Sequence, residues 1–502
     1  MKRIKRKLSL LAIAAMVFLL PVSGRADWLS MGKQDQVEGD VQMIDGIELE
    51  KSYKKDGENN PLYTQRFGAD PGVMEYNGRI YVYMTNDIIE YESTGRVKEN
   101  SYSKIRHISC ISSEDMVNWT DHGLIPVAGK DGIAPWAVNS WAPCAAHKTV
   151  DGKEKFFLYF CNGGNGIGVL ASDSPTGPWR DELGHLLITR ETPNCAGVTW
   201  LFDPAVMVDE DGTGYLAFGG GVPEGKQAAP GTGRIVRLGA DMMSLDCDPV
   251  TLDVPWLFED SGINRIGDTY IYSYCSNWQT EGNDLGLTSG AIQYMTATDP
   301  LGPYTYRGEL FPNEGKFFGL WGNNHHSIGC LNGQYYLFYH ARPVEQAMGI
   351  TGNYRSPQVD RIEINEDGSL KQVVGTMAGI PQLNPLVPFD TPVSAATMSD
   401  QAGIQVDTDG EKSWVKGHRG SWIRISDVYF GEMSKEMVLT GSAKEPGTLY
   451  IMADGLTGEI TAKADFPAGE NWEISAPVAK SMVRDLYIVF GADARLDTWI
   501  LK

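Results

Sequence analysis

The chain is predicted to be all-β, a five-bladed β-propeller followed by a β-sandwich of jelly-roll type, and three observations predict it. A hairpin pattern recurs five times along the first three-quarters of the sequence. Three outer segments, ISSEDMVNW, ASDSPTGPW and TATDPLGPY, each end in an aromatic after a polar turn. Beyond a proline-rich stretch the pattern changes to short strands without helical periodicity.

The hairpin is clearest at residues 200–220, WLFDPAVMVDEDGTGYLAFGG, where Asp203-Pro204 opens an apolar strand, an Asp-Gly turn follows, and a second strand ends in glycines. Asp-Gly and Asn-Gly between apolar runs signal a tight hairpin, because both turn residues tolerate positive φ. RFGADPGVMEYNGRIYVYMT repeats it with Asp70-Pro71, NSWAPCAAHKTVDGKEKFFLYFC turns at Asp151-Gly152, and PWLFEDSGINRIGDTYIYSYC carries Glu259 where other copies have aspartate. The fifth copy, NNHHSIGCLNGQYYLFYHAR, has a histidine pair there. The copies lie roughly 55–76 residues apart, room for four strands each, and such repetition indicates propeller blades packed radially. The residues opening each first strand then converge at one mouth of the axial channel, which places Asp70, Asp203, Glu259 and His325 or His326 together.

Taken in order, residues 1–26 read as a secretory signal, with a basic start, an apolar core at 8–20 and Gly24-Arg25-Ala26 as a small-x-small cleavage site. The apolar run is short for a membrane span, no cysteine stands directly after the cleavage site, and an exported protein, periplasmic or secreted, is expected without a membrane anchor after cleavage. Residues 27–60 read as a polar leader packing weakly on the propeller of residues 61–375. Residues 376–392, rich in proline, read as an extended linker, and residues 393–502 as the sandwich. Acidic residues number 64 against 43 basic, a net charge of −21. Nucleic acid and anionic membrane surfaces want the opposite sign, so both are excluded as partners. Seven cysteines without close pairs indicate buried thiols rather than a disulfide framework, and no spacing suggests zinc. No organic cofactor is expected, and the oligomeric state is open.

The order and wording of these motifs resemble glycoside hydrolase family 43. The resemblance implies three carboxylates at the propeller mouth: Asp70 as general base, Glu259 as general acid and Asp203 as the residue that orients the acid and tunes its pKa, with inversion of configuration. It also implies a histidine beside a central ion, commonly calcium, here His325 in the NHHS segment. The segments GSWIRISDVYFGE and DLYIVFGADARLDTWIL resemble family 6 carbohydrate-binding modules, although Asp497 stands where an asparagine often helps to bind sugar. Trp414, Trp422 and Trp472 are candidates for either sugar platforms or core.

The chemistry stands on the residues as well. Glycoside hydrolysis needs one protonated carboxyl to donate to the leaving oxygen and one ionised carboxylate to activate water. Asp-Pro pairs also occur as plain turn residues, and it is the recurrence at equivalent strand starts that favours catalysis. Trp141 and Trp200 fall near the mouth by repeat position, as do Trp136 and Trp278, and aromatic faces suit sugar rings. Arg342 and Arg361 are candidates to orient a sugar or pair with a carboxylate. The substrate expected is arabinoxylan or xylan, with release of α-L-arabinofuranose side chains first, β-xylosidase action second and arabinanase third. A retaining invertase-like enzyme is disfavoured because Ala69, Phe202 and Asp260 replace its motif residues. A propeller lectin is the non-enzyme alternative.

Overall fold

The computed structural model describes residues 42–502. The expected signal segment and the first part of the leader lie outside the described residues. Among the described residues no helix is long and apolar enough to cross a membrane.

Five antiparallel sheets follow one another along the chain. Blade one is built from Ala69–Tyr76, Arg79–Thr85, His107–Ser113 and Trp119–Pro126, and blade two from Trp141–Val150, Lys153–Cys161 and Ile167–Ser172. Blade three comprises Ala205–Val208, Gly214–Phe218, Arg234–Arg237 and Val250–Thr251, and blade four Leu257–Ile266, Thr269–Ser276, Ile292–Ala297 and Thr305–Phe311. Blade five has His326–Leu331, Gln334–Ala341 and Ser356–Arg361. The first strand of each blade packs against that of the next, and blade five packs against blade one, which closes the ring. Three hairpins turn where both turn residues have positive φ, at Asn77-Gly78, Asp151-Gly152 and Asn332-Gly333, the geometry that matches strand twist. Apolar side chains fill the gaps between blades, as with Tyr83, Phe156, Leu158 and Phe160 between blades one and two.

Blades two and five have three named strands, not the four that the repeat spacing allows. In blade five the missing edge is covered by the chain's own early segment: the Leu62 N–H donates to the Pro357 carbonyl (2.9 Å), and the Asn60 side chain both donates to the Val359 carbonyl and accepts its N–H (2.9 Å each). Side-chain amides can stand in for a strand because they offer the same donor and acceptor pair.

The C-terminal part is a sandwich of two sheets. One orders Gln405–Thr408, Ser413–Gly417, Ala494–Leu501, Ser434–Ala443 and Gly469–Lys480, and the other orders Asp400–Ala402, Trp422–Tyr429, Val483–Phe490, Gly447–Ala453 and Ile460–Phe466. Their facing sides bury Trp499, Phe490, Phe466 and Trp472. Trp472 stacks on Phe466 with ring centroids 5.5 Å apart, Trp422 is buried, and Arg495 covers Trp414 at 3.7 Å. Trp422 and Trp472 therefore serve packing, while Trp414 is half-buried with Arg495 over one face.

The segment before residue 61 does not rest loosely on the propeller. A small hairpin, Met43–Ile44 with Ile47–Glu48, lays Ile44, Ile47 and Leu49 against Trp422, Tyr450 and Tyr487 of the sandwich, because these residues are apolar within an otherwise polar stretch. Residues 376–392 are likewise pinned on both sides, with the Leu383 N–H donating to Asp115 of blade one (3.0 Å) and that of Leu386 to Asp427 of the sandwich (3.0 Å). Thr397–Met398 adds a fifth strand to blade one by pairing with Thr120 and Trp119. At this seam the Asn118 amide donates to the Ser426 carbonyl (2.9 Å) and accepts the Ser426 N–H (2.8 Å).

Candidate active site

A repeated distortion of the inner strands builds the mouth. Asp70, Ala142, Asp203 and Asp260, within or just before the first strands of blades one to four, have φ of 50°, 38°, 48° and 65°. The ladder breaks register beside three of them, between Ala69 and Gly72, Trp141 and Cys144, and Glu259 and Gly262. An extra residue at a bulge turns a side chain away from the pleat, and a non-glycine residue at positive φ persists only where its surroundings hold it. Here the outcome is that Asp70, Asp203 and Glu259 share one pocket of about 130 Å³ with Trp141, His325 and Arg355. Small-molecule pockets usually run to several hundred Å³, so this one has room for a single pentose-sized ring.

Asp70 is buried and heavily partnered. Its Oδ1 accepts from Arg355 Nη1 (2.8 Å), its backbone N–H donates to His340 Nδ1 (3.0 Å), and His325 Nδ1 lies 3.7 Å from Oδ1. Burial by itself raises its pKa, but Arg355, then His325 and His340, outweigh burial and hold the carboxyl well below the usual range. Arg355 is itself fixed by Asp87, to which Nε and Nη2 donate at 2.9 and 2.8 Å, and it lies over the Tyr102 ring at 5.1 Å.

Glu259 has the opposite character. Its Oε1 is buried without a hydrogen-bond partner, and burial, then the charges of Asp260 and Asp70, raise its pKa to about 8 against the pull of Arg355. Asp203 is raised as well, by burial first and then by Glu259, Asp70 and Asp260. The two groups are close enough to titrate as a pair, and the pair retains a proton at neutral pH. Asp203 Oδ2 accepts the Asp260 N–H (3.0 Å), a bond that favours its ionised form, whereas the unpartnered Glu259 Oε1 favours the acid form. The negative neighbours that raise Glu259 are thus Asp260 and Asp70, while the Asp203 carboxyl is itself raised by burial and by the charge of Glu259.

Asp260 is the blade-four counterpart of Asp203 by backbone geometry, a place the repeat pattern assigns to Glu259. It is fully buried, His325 Nε2 lies 3.1 Å from Oδ1, and Oδ2 pairs with the His326 ring. His325 therefore sits on the axis among three aspartates, with Nδ1 3.9 Å from Asp203 Oδ2, and burial holds its pKa below the ordinary value against the pull of Asp260 and Asp70. His326 turns aside to pair with Ser273 Oγ (2.6 Å). Among the described residues no group of three or more His, Cys, Asp and Glu side chains is arranged to hold a metal ion. Calcium takes six to eight oxygen ligands, while His325 offers nitrogens that already face carboxylates. A calcium ion beside His325 would therefore draw most of its oxygen ligands from water.

The other expected residues divide. Trp141 lines the pocket and donates through Nε1 to the Tyr102 carbonyl (3.0 Å). Trp200 stands one step back, packed edge-on against Phe202 and Phe258, with Phe202 taking the pocket wall. Arg342 does not line the pocket: Nη2 donates to the Trp321 carbonyl (2.7 Å) and Nη1 bonds Asn353. Arg361 is exposed and pairs in register with Tyr336 at the far end of blade five, so it is not a site residue. The reason is strand direction. First strands start at the mouth, so third strands do too, and Arg355 at the start of Ser356–Arg361 lies at the mouth while Arg361 at its end lies opposite. That parity was available in the sequence and would have selected Arg355. Asp260, His340, Tyr102 and Asn323 carry no such signal.

The family model described as glycosyl hydrolases family 43 matches residues 58–370. The chain is 42% identical over 472 residues to the arabinoxylan arabinofuranohydrolase of Paenibacillus polymyxa, across 88% of this chain and 74% of that one. It is also 42% identical over 464 residues to the arabinoxylan arabinofuranohydrolase of Bacillus subtilis (strain 168), across 86% and 89%. A crystal structure of a family 43 arabinoxylan arabinofuranohydrolase from Bacillus subtilis in complex with cellotetraose superposes with a TM-score of 0.87 at 40% identity, over 90% of this chain and 99% of that one. An α-L-arabinofuranosidase from Clostridium thermocellum gives a TM-score of 0.50 at 36% identity over 64% and 98%. With a base-like and an acid-like carboxyl facing one small pocket and a family match over most of its length, the chain belongs to family 43 of the glycosyl hydrolases.

Proposed function

We propose that this enzyme removes single α-L-arabinofuranosyl side chains from arabinoxylan with inversion. The observation that carries the reading is the pairing, in one pentose-sized pocket, of a carboxyl held ionised, Asp70, with one held protonated, Glu259. The two relatives similar over most of this chain are arabinoxylan arabinofuranohydrolases, which favours arabinose over xylose as the released sugar.

In this reading Asp70 accepts a proton from water as the water attacks the anomeric carbon, and Glu259 gives its proton to the departing xylan oxygen as the glycosidic bond breaks. The electron pair of that bond leaves with the oxygen. Arg355 keeps Asp70 ionised and oriented, since a guanidinium fork shared with Asp87 has little freedom to swing. Asp203, by accepting the Asp260 N–H, fixes the backbone that carries Glu259. Trp141 forms an apolar wall for the sugar face. Export, read from the first 26 residues, suits a polymeric substrate. Chelation followed by melting and turnover measurements tests for an ion beside His325: a lower melting temperature or a slower rate after metal removal is the expected outcome if one is held there.

The test is product analysis on wheat arabinoxylan, linear xylo-oligosaccharides and linear arabinan. Arabinose from arabinoxylan alone is expected. Xylose from the linear oligomers would put β-xylosidase action first, and binding without product from any of them would favour a lectin.

A further inference from the structure

The strained residues at the axis are held by side chains of the preceding blade. The Ala142 N–H donates to Thr85 Oγ1 (2.8 Å), that of Asp203 to Cys161 Sγ (2.9 Å), and that of Asp70 to His340 Nδ1 (3.0 Å). The Cys275 sulfur likewise faces the Asn324 N–H. Thr85, Cys161, Cys275 and His340 all lie at or near the end of their blade's second strand, so one device recurs around the ring. Blade three breaks it. Its second strand ends at Phe218, which has no side-chain acceptor, and the carboxylate of Asp203 takes the Asp260 N–H instead. Asp260 Oδ2 in turn takes the His326 N–H (3.1 Å). A chain of hydrogen bonds therefore runs from Cys161 through Asp203 and Asp260 to His326, crossing blades two to five and passing directly beside Glu259.

We infer that Cys161 is a positioning residue for proton donation: its sulfur, by accepting the Asp203 N–H while facing Asp203 Oδ1 at 3.9 Å, sets the rotation of Asp203 and through it the segment that carries Glu259. The inference rests on Glu259 being the general acid. Cys161 is fully buried and does not line the pocket, so it touches no substrate and acts only through Asp203. A buried N–H left without an acceptor must move to find one, and at Asp203 such movement shifts the carboxylate on which the Asp260 N–H depends. A serine at position 161 keeps both a donor and an acceptor, whereas alanine keeps neither.

The readout is the dependence of turnover on the leaving group. A misplaced acid harms substrates whose departing oxygen needs a proton and spares those with an acidic phenol, because a good leaving group departs unaided. Cys161→Ala is expected to lower kcat on arabinoxylan by about tenfold or more while changing kcat on 4-nitrophenyl α-L-arabinofuranoside by less than about threefold, a small part of what a general acid supplies. Cys161→Ser is expected to restore the arabinoxylan rate. Cys110→Ala, which empties a buried thiol position in the third strand of blade one, supplies the purely structural control and should leave the ratio of the two rates unchanged. Equal losses on both substrates for Cys161→Ala, or no rescue by serine, would overturn the inference. Glu259→Gln in the same assay separates the two levels: a leaving-group dependence there but not in Cys161→Ala sinks the positioning role alone, and none in Glu259→Gln sinks the acid assignment beneath it.

Discussion

The propeller mouth and the sandwich interior are made of the same element, the antiparallel strand, and put it to opposite uses. In the sandwich the two sheets bury Trp499, Phe490 and Leu439 between them with ladders broken only near strand ends and at small bulges. At the mouth four residues sit at positive φ, Asp70, Asp203 and Asp260 are buried, and Glu259 Oε1 goes without a hydrogen-bond partner. Each of those features costs stability. The sandwich spends its residues on packing, and the propeller confines its strain to the site where charge must change hands.

Removing the base should do the most damage at the mouth. Asp70→Ala is expected to lower kcat on arabinoxylan by about 10²–10⁴-fold, the range for a positioned acid or base, with the far-ultraviolet circular dichroism of the folded chain retained. Glu259→Gln is expected to give a loss within about the same range on the polymer. It should also melt at the same or a higher temperature at pH 8. Glu259 keeps its proton in the folded chain up to about 8, above the ordinary carboxylate value. Its contribution to stability is therefore present at low pH and lost as pH rises through about 8, a loss glutamine does not suffer.

In the sandwich the order of effects reverses. Trp472→Ala should cost about 3–5 kcal/mol of stability by urea unfolding, as for a buried aromatic removed without refilling, while kcat of the molecules that remain folded changes little. The pH profile sharpens the contrast within the site. Turnover should decline as pH rises through about 8, where Glu259 loses its proton. Asp70, held well below the usual range, should set no acidic limb of its own at pH 4–6. The smallest effect is expected at the seam between the two regions: Thr397→Val removes the bond between Thr397 Oγ1 and Thr120 Oγ1 (2.8 Å) and should cost about 1 kcal/mol.

Much of this arrangement was legible in the sequence because hairpins announce themselves. Asn77-Gly78, Asp151-Gly152 and Asn332-Gly333 fixed where strands reverse, and the acidic residues at the opening of three first strands fixed where the chemistry collects. What stayed hidden is of a different kind. Arg355 precedes its strand in a loop with no pattern of its own, and only strand parity distinguishes it from Arg361. Asp260 follows Glu259 directly, and a two-residue periodicity cannot say which of two neighbours a bulge will turn toward the axis. The packing of residues 43–49 on Trp422 and Tyr487 joins segments hundreds of residues apart, for which local pattern carries no signal at all.

The pairing of Thr397–Met398 with Thr120 and Trp119 has a consequence for anyone who treats the two halves as interchangeable parts. Trp119 is 1% exposed in the intact chain, and a cut anywhere in residues 376–392 would strip the strand that covers its edge. The excised propeller would present the open backbone donors and acceptors of Trp119 and Thr120 at its edge, the setting in which sheets recruit one another. A catalytic fragment that ends after residue 398 keeps this edge covered, and a different module grafted onto the propeller should carry that short strand with it.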